Sequence, residues 1–135
     1  MKPTTRLWTV QALLAALFLF AGVTKLVMPA DALAAQSHLP AAFMKFIGFC
    51  ETLGALGLIV PGIAKIRTEL TPLAAAGLVI IMIGAVIVSV IQGAGAAAAI
   101  PAVVGTLAIY VARGRWQQAA ETAPRLAPTV LRRAA

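Results

Sequence analysis

The sequence predicts an all-α membrane protein, a four-transmembrane-helix antiparallel bundle with both termini cytoplasmic. Three observations lead there: the composition, four apolar runs separated by short polar breaks, and the placement of the basic residues. Of 135 residues, 61% are hydrophobic and 11% charged, with a mean hydropathy of +0.98. A soluble domain carries about 25% charged residues. The net charge of +7 would suggest nucleic acid in a soluble chain. Here the basic residues gather at the chain ends and in one loop, which fits anionic lipid and argues against a nucleic-acid partner. The single cysteine, Cys50, excludes an internal disulfide and a cysteine-based metal cluster, and it reads as a small buried hydrophobe. No GxSxG, Gly-rich phosphate loop or histidine cluster is present, so hydrolase, nucleotide and metal chemistry find no motif.

A short basic lead with Lys2 and Arg6 precedes the first run, residues 7–28. Its 22 or so residues make about 33 Å of helix, enough to cross a bilayer. A cleaved signal peptide is the rival reading, with Ala30-Asp31-Ala32 imitating a cleavage site. The apolar core is too long for that, and Lys25 sits where the cleavage region should be neutral. Pro29 ends this helix, and residues 30–39 are too short and polar to span, which suits a brief interfacial helix. The second span covers about residues 40–60, opened by Pro40 and stopped by Pro61-Gly62. After a polar loop, Thr71 as N-cap and Pro72 in the first turn open a third span to about residue 91. The fourth covers about residues 96–112, where Pro101 predicts a kink or a late start. Residues 1–113 thus form the transmembrane domain and 114–135 an Arg-rich cytoplasmic tail, in which Arg115-Trp116 reads as an interfacial anchor.

Orientation follows from charge. Lys2, Arg6, Lys65, Arg67, Arg113, Arg115, Arg125, Arg132 and Arg133 fall on one side of such a bundle, and only Lys25 and Lys45 lie near the other. The positive-inside rule then places both termini in the cytoplasm.

Each span also carries a stripe of small or polar residues at helical spacing. The first has Gln11, Ala15, Phe18, Gly22 and Lys25, and the second Met44, Gly48, Glu51, Ala55 and Leu58. The third has Thr71, Ala75, Leu78, Met82, Ala85, Ser89 and Gln92, and the fourth Ala98, Ala102, Gly105 and Ala112. Small residues let helix backbones approach closely in lipid, and polar ones favour the protein interior.

Glu51 is the anomaly. A carboxylate inside an apolar run costs about 2.5–3.5 kcal/mol on insertion scales, so it needs a partner. Lys25 is the other charge well inside an apolar run. Side chains lean toward the N-terminus of their helix. In antiparallel spans Lys25 therefore leans inward and Glu51 outward, toward each other. Two readings stay open. In one, the pair is structural, either as an ion bridge that sets helix register or with Lys25 snorkelling to the surface and Glu51 protonated. In the other, Lys25 and Glu51 with Thr24, His38 and Thr52 form an outward-facing polar pocket for the head of a small amphiphile such as a quinone. His38 alone reads as a solvated loop residue, and Thr106 and Tyr110 lie one turn apart on the fourth span without a visible partner.

Three stretches resemble a known family. FAGVTKLVMP (residues 20–29), FIGFCETLGALGLIVPG (46–62) and LTPLAAAGLVIIMIGA (70–85) look like the DoxX-like family of small four-span bacterial membrane proteins. The most telling signatures are Gly22 and Lys25 of the first helix, and Glu51 followed by Gly54 and Gly57 in the second. The resemblance implies an inner-membrane protein with redox associations. Some relatives are the small subunit of a thiosulfate:quinone oxidoreductase. Others partner a superoxide dismutase and a sulfurtransferase, and more distant ones assist membrane-protein assembly. The family supplies no list of catalytic residues, and the absence of a second thiol here leaves no dithiol relay within the chain. The expectation is an accessory or quinone-linked subunit of a membrane redox complex that does not catalyse alone. It would contact lipid and either other subunits or copies of itself, with quinone as the candidate cofactor. A non-catalytic assembly or binding factor is the alternative. A small-molecule permease ranks lower, because the inner halves of the spans offer little polar lining beyond Gln11 and Thr106.

Overall fold

A computed structural model describes residues 3–123. Lys2 and the tail residues Arg125, Arg132 and Arg133 lie outside the described residues. The chain forms five helices: α1 (Pro3–Val27), α2 (Ala30–Ser37), α3 (Ala41–Ala64), α4 (Leu70–Ile91) and α5 (Ala99–Thr122). No strand occurs among the described residues. Three helices are long and apolar enough to cross a membrane: Thr4–Val27 of α1, Ala41–Ala64 and Leu70–Ile91.

The four long helices close into a ring in which α1 packs on α3 and α5, and α4 packs on α3 and α5. Every neighbouring pair is antiparallel. Near Gly22 and Lys25, α1 meets Gly48 of α3, and near Trp8 it meets Gly62. Gly54 and Gly57 of α3 meet Leu78 and Ala74 of α4. Gly105 of α5 lies against Met82 of α4, and Gly114 against Leu7 of α1. Glycine at these points lets the helix axes come together. A Cβ on Gly54 would lie 2.6 Å from Leu78 Cδ2, and one on Gly57 2.7 Å from Ala74 Cβ.

The core follows the small-residue stripes. Leu14, Ala15 and Phe18 of α1, Ala55 and Leu58 of α3, Ala75, Leu78 and Met82 of α4, and Ala108 and Val111 of α5 form one buried cluster. Outside it, large apolar side chains face outward on every long helix, among them Phe20, Phe46, Ile80 and Ile100. A soluble protein could not present such a surface to water. A bilayer makes it favourable.

The structure corrects several sequence-based boundaries. Pro61 does not stop the second span: α3 continues through it to Ala64, with Pro61 itself buried. One turn from a helix end the missing N–H costs a single bond, to the carbonyl of Gly57, so the helix runs on briefly. Thr71 is not an N-cap, since α4 starts at Leu70 with Glu69 in the capping position and no side-chain cap bond. Instead, Thr71 is buried within the first turn. The fourth helix starts late, at Ala99, which puts Pro101 in its first turn, where a missing N–H costs nothing. That helix runs on to Thr122, so the first part of the segment read as a tail is helical. Its buried face is Gly105, Ala108 and Val111, while Ala102 faces out. In an alanine-rich helix several faces carry small residues, and nothing polar marked the right one. The short α2 is amphipathic enough only to bury Leu33, and it packs on α3.

Candidate functional site

Two polar centres lie inside this bundle, at opposite ends of α1. The first is built on a backbone contact. A Cβ on Gly22 would lie 2.6 Å from the Gly48 carbonyl oxygen, and one on Gly48 would lie 2.8 Å from Lys25 Cβ. The two helices therefore touch at Gly22 and Gly48, which sets Lys25 at the level of Gly48, three residues before Glu51. Glu51 leans back along α3 to meet it. Lys25 Nζ lies 2.7 Å from Glu51 Oε2, a charge-assisted hydrogen bond and the one ion pair among the described residues. The Glu51 side chain is 4% exposed and that of Lys25 22%. The ammonium also reaches the Ala21 carbonyl at 3.5 Å, a long contact. Lys45 donates to the Leu26 carbonyl at 3.2 Å, a cation at the C-terminus of α1 where the helix dipole favours it.

The other residues singled out from the sequence do not converge on this pair. Thr24 donates to its own helix at Phe20 O (2.7 Å), and Thr52 to Gly48 O (2.8 Å). Thr52 still contributes shape, because its Oγ1 fills the space a Gly22 Cβ would need. His38 is exposed at the C-cap of α2, where its left-handed backbone (φ 55°) ends that helix. Cys50 is a half-buried free thiol. Thr106 bonds to Ala102 O of its own helix and, like Tyr110, is exposed.

Sequence reasoning missed the second centre. Gln11 is fully buried on α1. Its Nε2 donates to the Leu58 carbonyl in the last turns of α3, beside the break that Pro61 makes in the helix ladder. Its Oε1 accepts from Arg115 Nε at 2.6 Å, and Arg115 Nη1 donates to Gln118 Oε1 at 2.9 Å. The guanidinium stacks over Trp8, 4.6 Å from the ring centroid. Trp8 fits because Gly62 is a glycine: a Cβ there would lie 2.5 Å from the indole. A guanidinium stays cationic in a protein. A signal for this centre did exist. Ala108, Val111, Arg115, Gln118 and Thr122 fall at helical three- and four-residue spacing, so the buried face of α5 leads straight to Arg115.

About 21 Å of α1 separates Gln11 from Lys25, and the intervening face is Leu14, Ala15 and Phe18, all buried. The two centres are divided by apolar core. Two cavities stand out, and neither is lined by Lys25 or Glu51. One of about 200 Å³ lies beside Arg115. Another of about 190 Å³ is an apolar groove between α4 and α5, lined by residues such as Met82, Ile83, Pro101 and Gly105. No group of His, Cys, Asp or Glu able to hold a metal occurs among the described residues.

The DoxX-like family model matches residues 9–111. The chain belongs to the DoxX-like family. That match takes in α1 to α4 almost whole and the first half of α5, including both Lys25 and Glu51. No curated protein and no solved structure matches the chain. This DoxX-like chain is thus a membrane protein of apolar helices with a charged pair set between two of them.

Proposed function

We propose that this DoxX-like protein is a four-span subunit of the bacterial inner membrane. In this reading it serves a membrane redox assembly as an accessory or quinone-linked component and does not catalyse alone. The fourth span is α5. Its first half is apolar, and it packs antiparallel on α4 and α1, so it shares their depth if they cross the bilayer. An even number of spans puts both termini on one side, and the excess of Lys and Arg there assigns that side to the cytoplasm.

The observation that carries the reading is the geometry of Lys25. An ammonium has three donors. Glu51 takes one, and the Ala21 carbonyl lies within long reach of a second. A third remains, on a side chain that is 22% exposed. A quinone carbonyl is an acceptor suited to it, with Glu51 holding the ammonium in place. The alternative, a non-catalytic assembly or binding factor, is favoured by a different observation. Thr24 and Thr52 bond their own helices and His38 sits on the α2 cap, so none of these three polar groups converges on the pair.

Quinone analysis of organic extracts separates the two readings, using protein purified gently from its native membrane beside Lys25→Met and Glu51→Gln. Stoichiometric quinone in the parent protein, lost in both variants, supports the redox role. No enrichment over bulk lipid in any sample removes the quinone-linked reading and leaves the assembly or binding factor.

A further inference from the structure

We propose that the cavity beside Arg115 is a binding site for a phosphate-type oxyanion, independent of any redox role of the Lys25–Glu51 pair. The cavity, about 200 Å³, lies among the start of α1, the end of α3, the start of α4 and the last turns of α5. Gln11, Thr68, Thr71, Arg115, Gln118 and Thr122 supply its polar lining.

Three observations point to an anion. First, Arg115 Nη2 is buried and has no hydrogen-bond partner among the described residues. A buried guanidinium nitrogen left without an acceptor is costly, and guanidinium forks match phosphate oxygens. Second, Arg115 makes no ion pair among the described residues. The chain holds four acidic side chains. Glu51 belongs to Lys25, Asp31 lies at the far end on α2, and neither Glu69 nor Glu121 makes an ion pair. Third, the remaining lining suits oxyanion oxygens. The hydroxyls of Thr68 and Thr71 are engaged in no side-chain hydrogen bond among the described residues, and Thr71 is only 3% exposed. The Arg115 guanidinium is also held rigidly, by Gln11, Gln118 and the face of Trp8. That fixes its direction before a ligand arrives.

Such a ligand has two natural sources, a phospholipid headgroup at the bilayer surface and soluble phosphate. Trp8 reports on both because it stacks on the guanidinium. The chain has two tryptophans, so a Trp116→Phe background leaves Trp8 as the sole tryptophan, excited selectively over Tyr110 at the red edge of its absorption. The full-length protein in neutral detergent is titrated at constant ionic strength with inorganic phosphate and, separately, with short-chain phosphatidylglycerol. Short-chain phosphatidylcholine and chloride serve as controls.

The expected result is a saturable change in Trp8 emission with at least one of the two anionic probes. Saturation with phosphatidylglycerol alone assigns the lipid headgroup, and saturation with inorganic phosphate assigns a soluble ligand. Arg115→Lys should weaken binding about tenfold or more, as expected for loss of charge-assisted bonds. Thr71→Val, which keeps shape and charge, should weaken it less. If Arg115→Lys does not fold, Thr71→Val decides alone. No saturable change with either probe, or unchanged binding in the folded variants, overturns the proposal.

Discussion

The two polar centres of this bundle solve the problem of a buried charge in opposite ways. At one end, Lys25 and Glu51 neutralise each other across a glycine contact between α1 and α3, so the charge is balanced within the chain. At the other end, Arg115 is held by two glutamines and a tryptophan, none of which carries charge. Its guanidinium keeps one buried donor without a partner among the described residues. The difference teaches that hydrogen bonding and charge compensation are separate requirements. The first centre balances its charge and leaves one donor on a part-exposed side chain, whereas the second leaves a buried donor and its charge unanswered among the described residues.

The sharpest way to break this contrast is to disrupt the contact beneath the ion pair. Gly22→Val should cause the largest loss, because its Cβ alone would sit 2.5 Å from Thr52 Oγ1 and 2.6 Å from the Gly48 carbonyl. Separation of α1 from α3 should appear as loss of the monodisperse folded peak in detergent chromatography. Next, Glu51→Ala leaves Lys25 uncompensated and should destabilise the protein by about 3–5 kcal/mol. Lys25→Met/Glu51→Leu should recover most of that loss, since apolar replacement of a whole buried pair is often neutral. A double variant as unstable as the single one in thermal melts would show that the pair does more than cancel charge.

Smaller effects belong to the other centre. Gln11→Leu removes the acceptor of Arg115 Nε and the donor to Leu58 O, and should cost about 1–3 kcal/mol. The smallest effect is expected for Thr24→Val, whose hydroxyl bonds only its own helix. A change beyond about 0.5 kcal/mol there would place Thr24 in contact with something the isolated chain lacks.

The buried stripes of the first three long helices were legible in the sequence. Gln11, Ala15, Phe18 and Gly22 face inward on α1, as do Gly48, Glu51, Ala55 and Leu58 on α3 and Thr71, Ala75, Leu78 and Met82 on α4, although Gln92 at the end of that last stripe is exposed and bonds the Ser37 carbonyl. Each stripe stood out because a polar or small residue recurred against branched apolar neighbours. On α5 the same rule failed at Ala102, because alanine is common on all its faces. Lys25 and Glu51 could be singled out because charge inside an apolar run is costly wherever the helices go. Arg115 could not be read that way. It follows an apolar run, where basic residues ordinarily anchor a helix at the lipid surface, and its neighbour Trp116 strengthened that reading. In the structure Trp116 is exposed, and Trp8, more than one hundred positions earlier, receives the guanidinium.

By itself, the sequence determined what depends on the solvent and on local geometry: a membrane protein, helical throughout its long apolar runs, with family membership legible in Gly22, Lys25, Glu51, Gly54 and Gly57. Hydropathy and helical periodicity act residue by residue, so they survive in a linear reading. Only the tertiary structure decided that Gln11 meets Arg115, that Gly62 makes room for Trp8, and that α5 continues to Thr122 to deliver its guanidinium. These are contacts between helices far apart in the chain. They depend on which faces meet and at what height, and backbone spacing at glycines sets both once the bundle has closed.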